Sequence, residues 1–293
     1  MFFYLPKYSI IDNGDKMITR EEQRKRKKQK KTKFIILLIL FTAILLIATF
    51  LIIKWMMDNK KVDKITDDIK NNTEVIEVKD DNAENINPPT NEESDYWKYI
   101  KMPLIAVDFN NLLEKNSETV GWIKVEGTSI NYPVVQASDN EYYLNHAYDK
   151  SKNAAGWIFA DYRNNMKDFD KNTIIYGHGR LNTTMFGSLK NITTSNWYKN
   201  SNNYVVKFST PYENTLWQVF AVYKIPTETY YLTTDFTNDK SYTEFLTTLK
   251  NRSLYNFNVD LNANDKIITL STCSNDNKSR IVMHAKLIKK QAR

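Results

Sequence analysis

Twenty consecutive residues without a charge or a proline, Phe34 to Ile53 (FIILLILFTAILLIATFLII), constrain this chain more than any other feature. As a helix rising about 1.5 Å per residue, such a run spans roughly the 30 Å hydrocarbon layer of a bilayer. Core helices of soluble domains seldom stay apolar on every side for so long. The run is also longer than the apolar part of a cleaved signal peptide, and the following KWMMDNKK offers no small-residue cleavage site. A retained transmembrane helix is predicted. Residues 1–33 carry eleven Lys/Arg against four Asp/Glu, which accounts for the whole formal charge of +7. The remaining residues balance, so the basic excess marks a tail beside a membrane rather than a nucleic-acid face. Lysines and arginines ahead of the span predict a cytoplasmic amino end, with everything beyond Lys54 outside. The residues before Met17 have no part in this anchor, and translation is expected to begin at Met17.

Residues 54–94 are rich in Asn, Asp, Lys and Glu and contain NPPT. They read mainly as a hydrated extracellular spacer, with room for a short helical stretch. From residue 95 to 293 aromatic residues are frequent and neither a repeat nor a second linker is seen, so one domain is predicted. PLIAVDFNNLLEKN has partial helical spacing. Eight runs rich in β-branched and aromatic residues follow: GWIKV, SINYPVV, GWIFA, NTIIYG, NYVVKFS, LWQVFAVYKI, KIITLST and RIVMHAKLI. Separated by Gly, Asn, Asp and Ser, they predict a closed or nearly closed β structure. One helix interrupts them late. In SYTEFLTTLKNRSLYNF the residues Tyr242, Phe245, Leu246 and Leu249 share a face, and Ser241 with Glu244 fits a capping box.

Cys273 is the only cysteine. Exported proteins in oxidising surroundings use cysteines in pairs, so a single one is either an inert buried residue or a reactive thiol. The polar SNDNK and its neighbours can join the strand ending at Cys273 to the strand opening at Arg280 as an antiparallel hairpin, setting thiol and guanidinium side by side. A fixed positive charge favours thiolate, the nucleophilic form. An arginine can also hold a substrate carbonyl or a developing oxyanion. Three histidines could serve as the proton-transfer partner. His178 stands between two glycines just past a strand, where the chain can turn and expose the ring; His146 lies among aromatics, and His284 within the last strand. Neither CGSCW nor QACRG occurs, and the papain order, cysteine first, is reversed. A tethered β domain that only binds wall polymer, with Cys273 inert, is the rival of a different class. Three scattered histidines and one cysteine form no ligand cluster at recognised spacing, so no metal or other cofactor is predicted.

TLSTC ending a strand, an arginine opening the next, and a Gly-flanked histidine ahead of them together resemble the sortases, the membrane-anchored cysteine transpeptidases of Gram-positive bacterial surfaces. VGWIKVEGTSINYPVVQASDNEYYLNHAYD, AGWIFADYRN, NTIIYGHGRLNTTMFGSLK and the late helix are similar to the class B branch, and the resemblance covers roughly Tyr96 to Lys289. It implies an eight-stranded sortase-type β-barrel, mainly β, with an N-terminal helical segment and an extra helix before the cysteine-bearing strand. It further implies Cys273 as nucleophile, His178 as general acid/base and Arg280 as the oxyanion-stabilising residue. Asn140, Leu144, Tyr176 and Ser271 correspond to substrate-contacting positions. The implied partners are sorting-motif peptides of secreted proteins, cut after a threonine through a thioester, and an amine of a peptidoglycan cross-bridge or a pilin. The interval between Cys273 and Arg280 is short, six residues, which bears on what enters beside the thiol.

Overall fold

The computed structural model describes residues 9–11, 17–79, 95–273 and 278–293, with side chains over 19–79, 97–272 and 278–293. The chain divides into two compact units, one ending at Met57 and one running from Asp58 to Arg293.

In the first unit, a two-stranded ribbon of β1 (Ser9–Ile11) and β2 (Met17–Thr19) precedes helix α1 (Arg20–Asn72). The large apolar side chains from Phe34 to Ile53 are all exposed, among them Leu46 at 71% and Leu37 at 67%. By length and composition this helix could cross a membrane.

In the second unit, the segment expected to be a hydrated spacer is instead folded as far as it is described. The last turns of α1 bury Val62 and Ile69, with Ile65 packed beside them. β3 (Val75–Val78) then pairs antiparallel with β4 (Leu104–Val107). The high Asp, Asn and Lys content marks the outer side of this helix, while Val62, Ile65 and Ile69 recur at helical spacing on the inner side. Residues 80–94, the rest of that expected spacer, lie outside the described residues, as do 274–277 of the expected hairpin turn. PLIAVDFNNLLEKN, read with partial helical spacing, is a strand followed by a short helix: β4, and after α2 (Asp95–Ile100) the helix α3 (Asn110–Lys115). A four-residue apolar run does not by itself distinguish the two periods, and pairing with β3 decides it.

All eight runs read as strands are strands: β5 (Thr119–Val125), β6 (Asn131–Val135), β7 (Phe159–Ala160), β8 (Asn172–Gly177), β9 (Val205–Ser209), β10 (Glu213–Pro226), β11 (Ile267–Cys273) and β12 (Ser279–Ala292). They close a barrel in the order β10-β12-β11-β8-β7-β6-β5-β9. Neighbours are antiparallel except β6 with β7 and β8 with β11, which run parallel. Trp122, Trp157, Trp217, Tyr143, Phe159 and Phe208 are fully buried in its core. Each such aromatic removes enough apolar area from water to contribute a few kcal/mol. Between β9 and β10 the chain needs only Thr210–Tyr212, with Thr210 N–H and Oγ1 both donating to Glu213 O.

After the short α4 (Ser195–Tyr198), the late helix α5 (Asp239–Asn251) buries Tyr242, Leu246 and Leu249. Its capping box lies three residues ahead of the predicted one. Asn238, in extended conformation, accepts from Ser241 N–H, and the Ser241 hydroxyl faces the Asn238 N–H. Tyr242 Oη reaches both Lys171 O (2.7 Å) and Asp265 O (2.8 Å), tying the helix to the starts of β8 and β11.

Candidate active site

A cleft of about 370 Å³ opens where β8 and β11 end. Its floor is Tyr176, Gly177 and His178 at the end of β8 and Ser271 with Thr272 on β11; Arg280 of β12 adjoins them. One wall is Asn140 and Leu144, the latter in the 3-10 turn Tyr142–Leu144; the other is Thr227–Thr229 with Tyr231 and Leu232, in the loop between β10 and α5.

The register explains why distant residues meet here. β11 pairs parallel to β8 with Ser271 opposite Tyr176 and Thr272 opposite Gly177. One step beyond that last pair, the chain reaches Cys273 on one strand and His178 on the other. On its other side β11 is antiparallel to β12, with Cys273 opposite Arg280. Adjacent strands are about 4.8 Å apart, so the backbones of the three predicted catalytic residues stand in adjacent positions. The side chain of Cys273 lies outside the described part of the chain. All four residues expected to contact substrate, Asn140, Leu144, Tyr176 and Ser271, line the same cleft.

Local bonds set each of these groups. His178 Nε2 is 2.8 Å from Leu144 O. A carbonyl only accepts, so Nε2 carries hydrogen and Nδ1 is the basic nitrogen of the neutral ring. Gly156 makes room for that ring: at φ +59 it approaches so closely that a β-carbon there would lie 2.6 Å from Tyr143 O and 2.8 Å from His178 Cδ2. Ser271 Oγ is 2.9 Å from Tyr231 Oη, and Asn140 Oδ1 accepts from Tyr162 N–H at 3.0 Å. Tyr176 Oη donates to Asp161 Oδ2 at 2.8 Å, while Arg163 grips the same carboxylate through Nε and Nη2 at 2.8 and 2.7 Å. Burial pushes the Asp161 carboxyl up, but the bonds from Arg163 and Tyr176 outweigh it and hold the group below the usual carboxylate range.

The other two imidazoles are structural. His146 stacks on Tyr142 at 4.0 Å between centroids, with Nδ1 at 2.7 Å from Tyr142 O. His284 is completely buried, and burial pushes its pKa down to about 3. Sequence reasoning missed Asp161, Arg163 and the wall residues Thr227, Glu228 and Tyr231. In ADYRN an acid and a base two residues apart at a strand end resemble ordinary surface charge, and PTETYYL carries no period of either kind.

A closed barrel whose cleft gathers strand-end cysteine, histidine and arginine positions has the architecture of a cysteine transpeptidase. Residues 123–288 match the family model described as the Sortase domain, and the chain belongs to that family. Its likeness within the family is to class B. Sortase B of Staphylococcus aureus is 39% identical over 188 residues, covering 63% of this chain and 76% of that one. Sortase B of Listeria monocytogenes is 33% identical over 258 residues, covering 84% and 95%. Among solved structures, sortase B from Bacillus anthracis superposes with a TM-score of 0.64 at 33% identity, over 80% of this chain and 99% of that one. A Staphylococcus aureus sortase B–substrate complex gives a TM-score of 0.58 at 40% identity, over 62% and 84%.

Proposed function

We propose that the chain cuts a C-terminal sorting motif of secreted proteins after its threonine and passes the protein to an amine of a peptidoglycan cross-bridge or of a pilin. The single observation that carries this reading is the register at the cleft, with Cys273 opposite Arg280 and one residue past the last β8–β11 pair that leads to His178.

In this mechanism Cys273 sulfur attacks the threonine carbonyl carbon, and the carbonyl oxygen takes the negative charge. Arg280 lines the cleft and supplies a permanent cation to that oxygen, a type of contact worth about 10²–10³ in rate. Cys273 reacts as the thiolate, its proton having passed to His178 Nδ1; as the C–N bond breaks, His178 gives that proton to the departing amine and a thioester remains. The acceptor amine attacks the thioester, returns a proton to His178 and frees the thiolate, so one amide is exchanged for another. Asn140, Leu144, Tyr176 and Ser271 hold the peptide along the floor and wall they line.

Residues 34–53 serve as the membrane span, 1–33 as a cytoplasmic tail, and the folded unit from Asp58 works on the outer face. Exposure of the span's apolar side chains and the basic residues ahead of it support this placement.

The test uses the full chain in detergent micelles with fluorogenic peptides of the NPQTN and LPxTG types, with and without a glycine oligopeptide or a lysine side-chain amine. Amine-dependent product from at least one motif, abolished by Cys273→Ala, is expected. Turnover that survives Cys273→Ala removes the nucleophile, and silence toward every motif removes the reaction.

A further inference from the structure

Three successive residues behind the cleft are bonded to three different parts of its lining. Asp161, fully buried just after β7, takes the Tyr176 hydroxyl of the floor at 2.8 Å. Tyr162 donates its N–H to Asn140 Oδ1 of one wall at 3.0 Å. Arg163, bidentate on Asp161, extends Nη2 to Leu232 O of the opposite wall at 3.1 Å. Asp161 is itself anchored to the barrel, its N–H donating to Ile174 O and its carbonyl accepting from Gln136 Nε2.

We propose that the Asp161–Arg163 pair is the strut that sets the spacing between the walls, and that Arg163 is thereby a positioning residue for the extended peptide that enters. The inference rests on the transpeptidase reading above and adds to it the part that holds the loop wall in place. Leu232 ends the 3-10 turn Tyr230–Leu232. Asn172 Nδ2 of β8 holds the carbonyls on either side of it, Tyr231 O at 3.1 Å and Thr233 O at 2.9 Å, and Arg163 adds the charged donor to the carbonyl between them, at the rim of the cleft. The guanidinium takes the carboxylate with two parallel bonds and reaches the carbonyl from the same planar fork, a geometry that an ammonium's point charge does not reproduce.

The same pair presets the polarity of the floor. Asp161 Oδ1 accepts from Arg163 N and Nε, and Oδ2 from Arg163 Nη2 and Tyr176 Oη, so the carboxylate is saturated. With its hydrogen committed to Asp161, Tyr176 meets a ligand only as an acceptor. The floor at Tyr176 therefore suits a peptide N–H or a side-chain amide NH₂ rather than a carbonyl.

The experiment compares wild type, Arg163→Lys and Arg163→Ala in the full micellar chain. It reads KM and kcat on a sorting-motif peptide, peptide binding to each variant combined with Cys273→Ala, and the rate at which a small alkylating reagent labels Cys273. The expected result is KM raised about tenfold in both variants, with kcat within about twofold and alkylation unchanged. A wild-type KM in Arg163→Lys overturns the strut while leaving the transpeptidase reading intact. Parallel loss of kcat, alkylation and affinity also overturns it, because that pattern is general damage to the fold. A wild-type chain that neither turns over nor binds any motif peptide removes both readings.

Discussion

At the scale of single residues, the site depends on atoms that leave no room for alternatives. Gly156→Ala would place a carbon against Tyr143 O and the His178 ring while forcing a left-handed φ on a substituted residue. Such strain costs on the order of 1–3 kcal/mol, and turnover is expected to fall more than about tenfold, measured beside a thermal melt to separate the two effects. Arg280→Lys keeps the charge and loses the planar fork; kcat/KM on a motif peptide is expected to drop about 10²-fold, and wild-type kinetics in that variant would remove the oxyanion role. The cysteine, the arginine opening the next strand and the glycine-flanked histidine were visible in the sequence because each stands where a purely packing role would call for an apolar residue. Asp161 and Arg163 were not, because an acid and a base in a strand-end turn look like ordinary surface charge until burial is known.

At the scale of elements, β10, β11 and β12 are stitched together inside the barrel by one imidazole. Thr269 Oγ1 gives its hydrogen to Asn172 Oδ1, so at 2.8 Å it accepts from His284 Nδ1–H. His284 Nε2 is then the acceptor for Tyr223 Oη at 2.6 Å. The ring is held neutral, its pKa pushed from an ordinary value near 6.5 down to about 3. The unfolded chain takes up this proton first as pH falls, so stability is full above about pH 6.5 and is lost by as much as about 1.4 kcal/mol per pH unit toward pH 3. Denaturant melts between pH 7 and 4 should show a shallower slope in His284→Gln; identical slopes would mean the imidazole does not carry the effect. Asn238→Ala, which removes the cap of α5, is expected to cost about 1 kcal/mol in the same assay. The strands were legible because β-branched and aromatic runs broken by polar turns have few other outcomes. The cap was displaced because Asn238 and Ser241 both fit the position, and the extended backbone at Asn238 decides between them.

At the scale of the whole molecule, the second unit begins at Asp58, earlier than the sequence suggests. Lys207, with only 4% of its side chain exposed, is 2.9 Å from Glu77 on β3 and 3.6 Å from Glu126. A chain starting at Asp95 would lose Glu77, the β3–β4 pairing and the buried Val62 and Ile69 together. Glu77 is itself more than half exposed and Lys207 keeps Glu126, so the main cost is the lost burial of Val62 and Ile69, about 1.5–3 kcal/mol each, and of the β3–β4 pairing; this version is expected to melt below one starting at Asp58. Equal melting temperatures would show the amino-terminal segment to be dispensable. Hydrophilic composition concealed the packing of residues 58–79, since three inward residues on a helix and four in a strand are a small minority of that segment.

The parallel seam between β8 and β11 has one more consequence. Its two strands enter the chain almost a hundred residues apart, so the seam can close only after most of the second unit has been made. Long-range parallel pairings of this kind are slow to form. A nascent chain thus carries its sulfur and its imidazole as strangers until its last strands are made, and the chemistry of the cleft waits for the whole unit to fold.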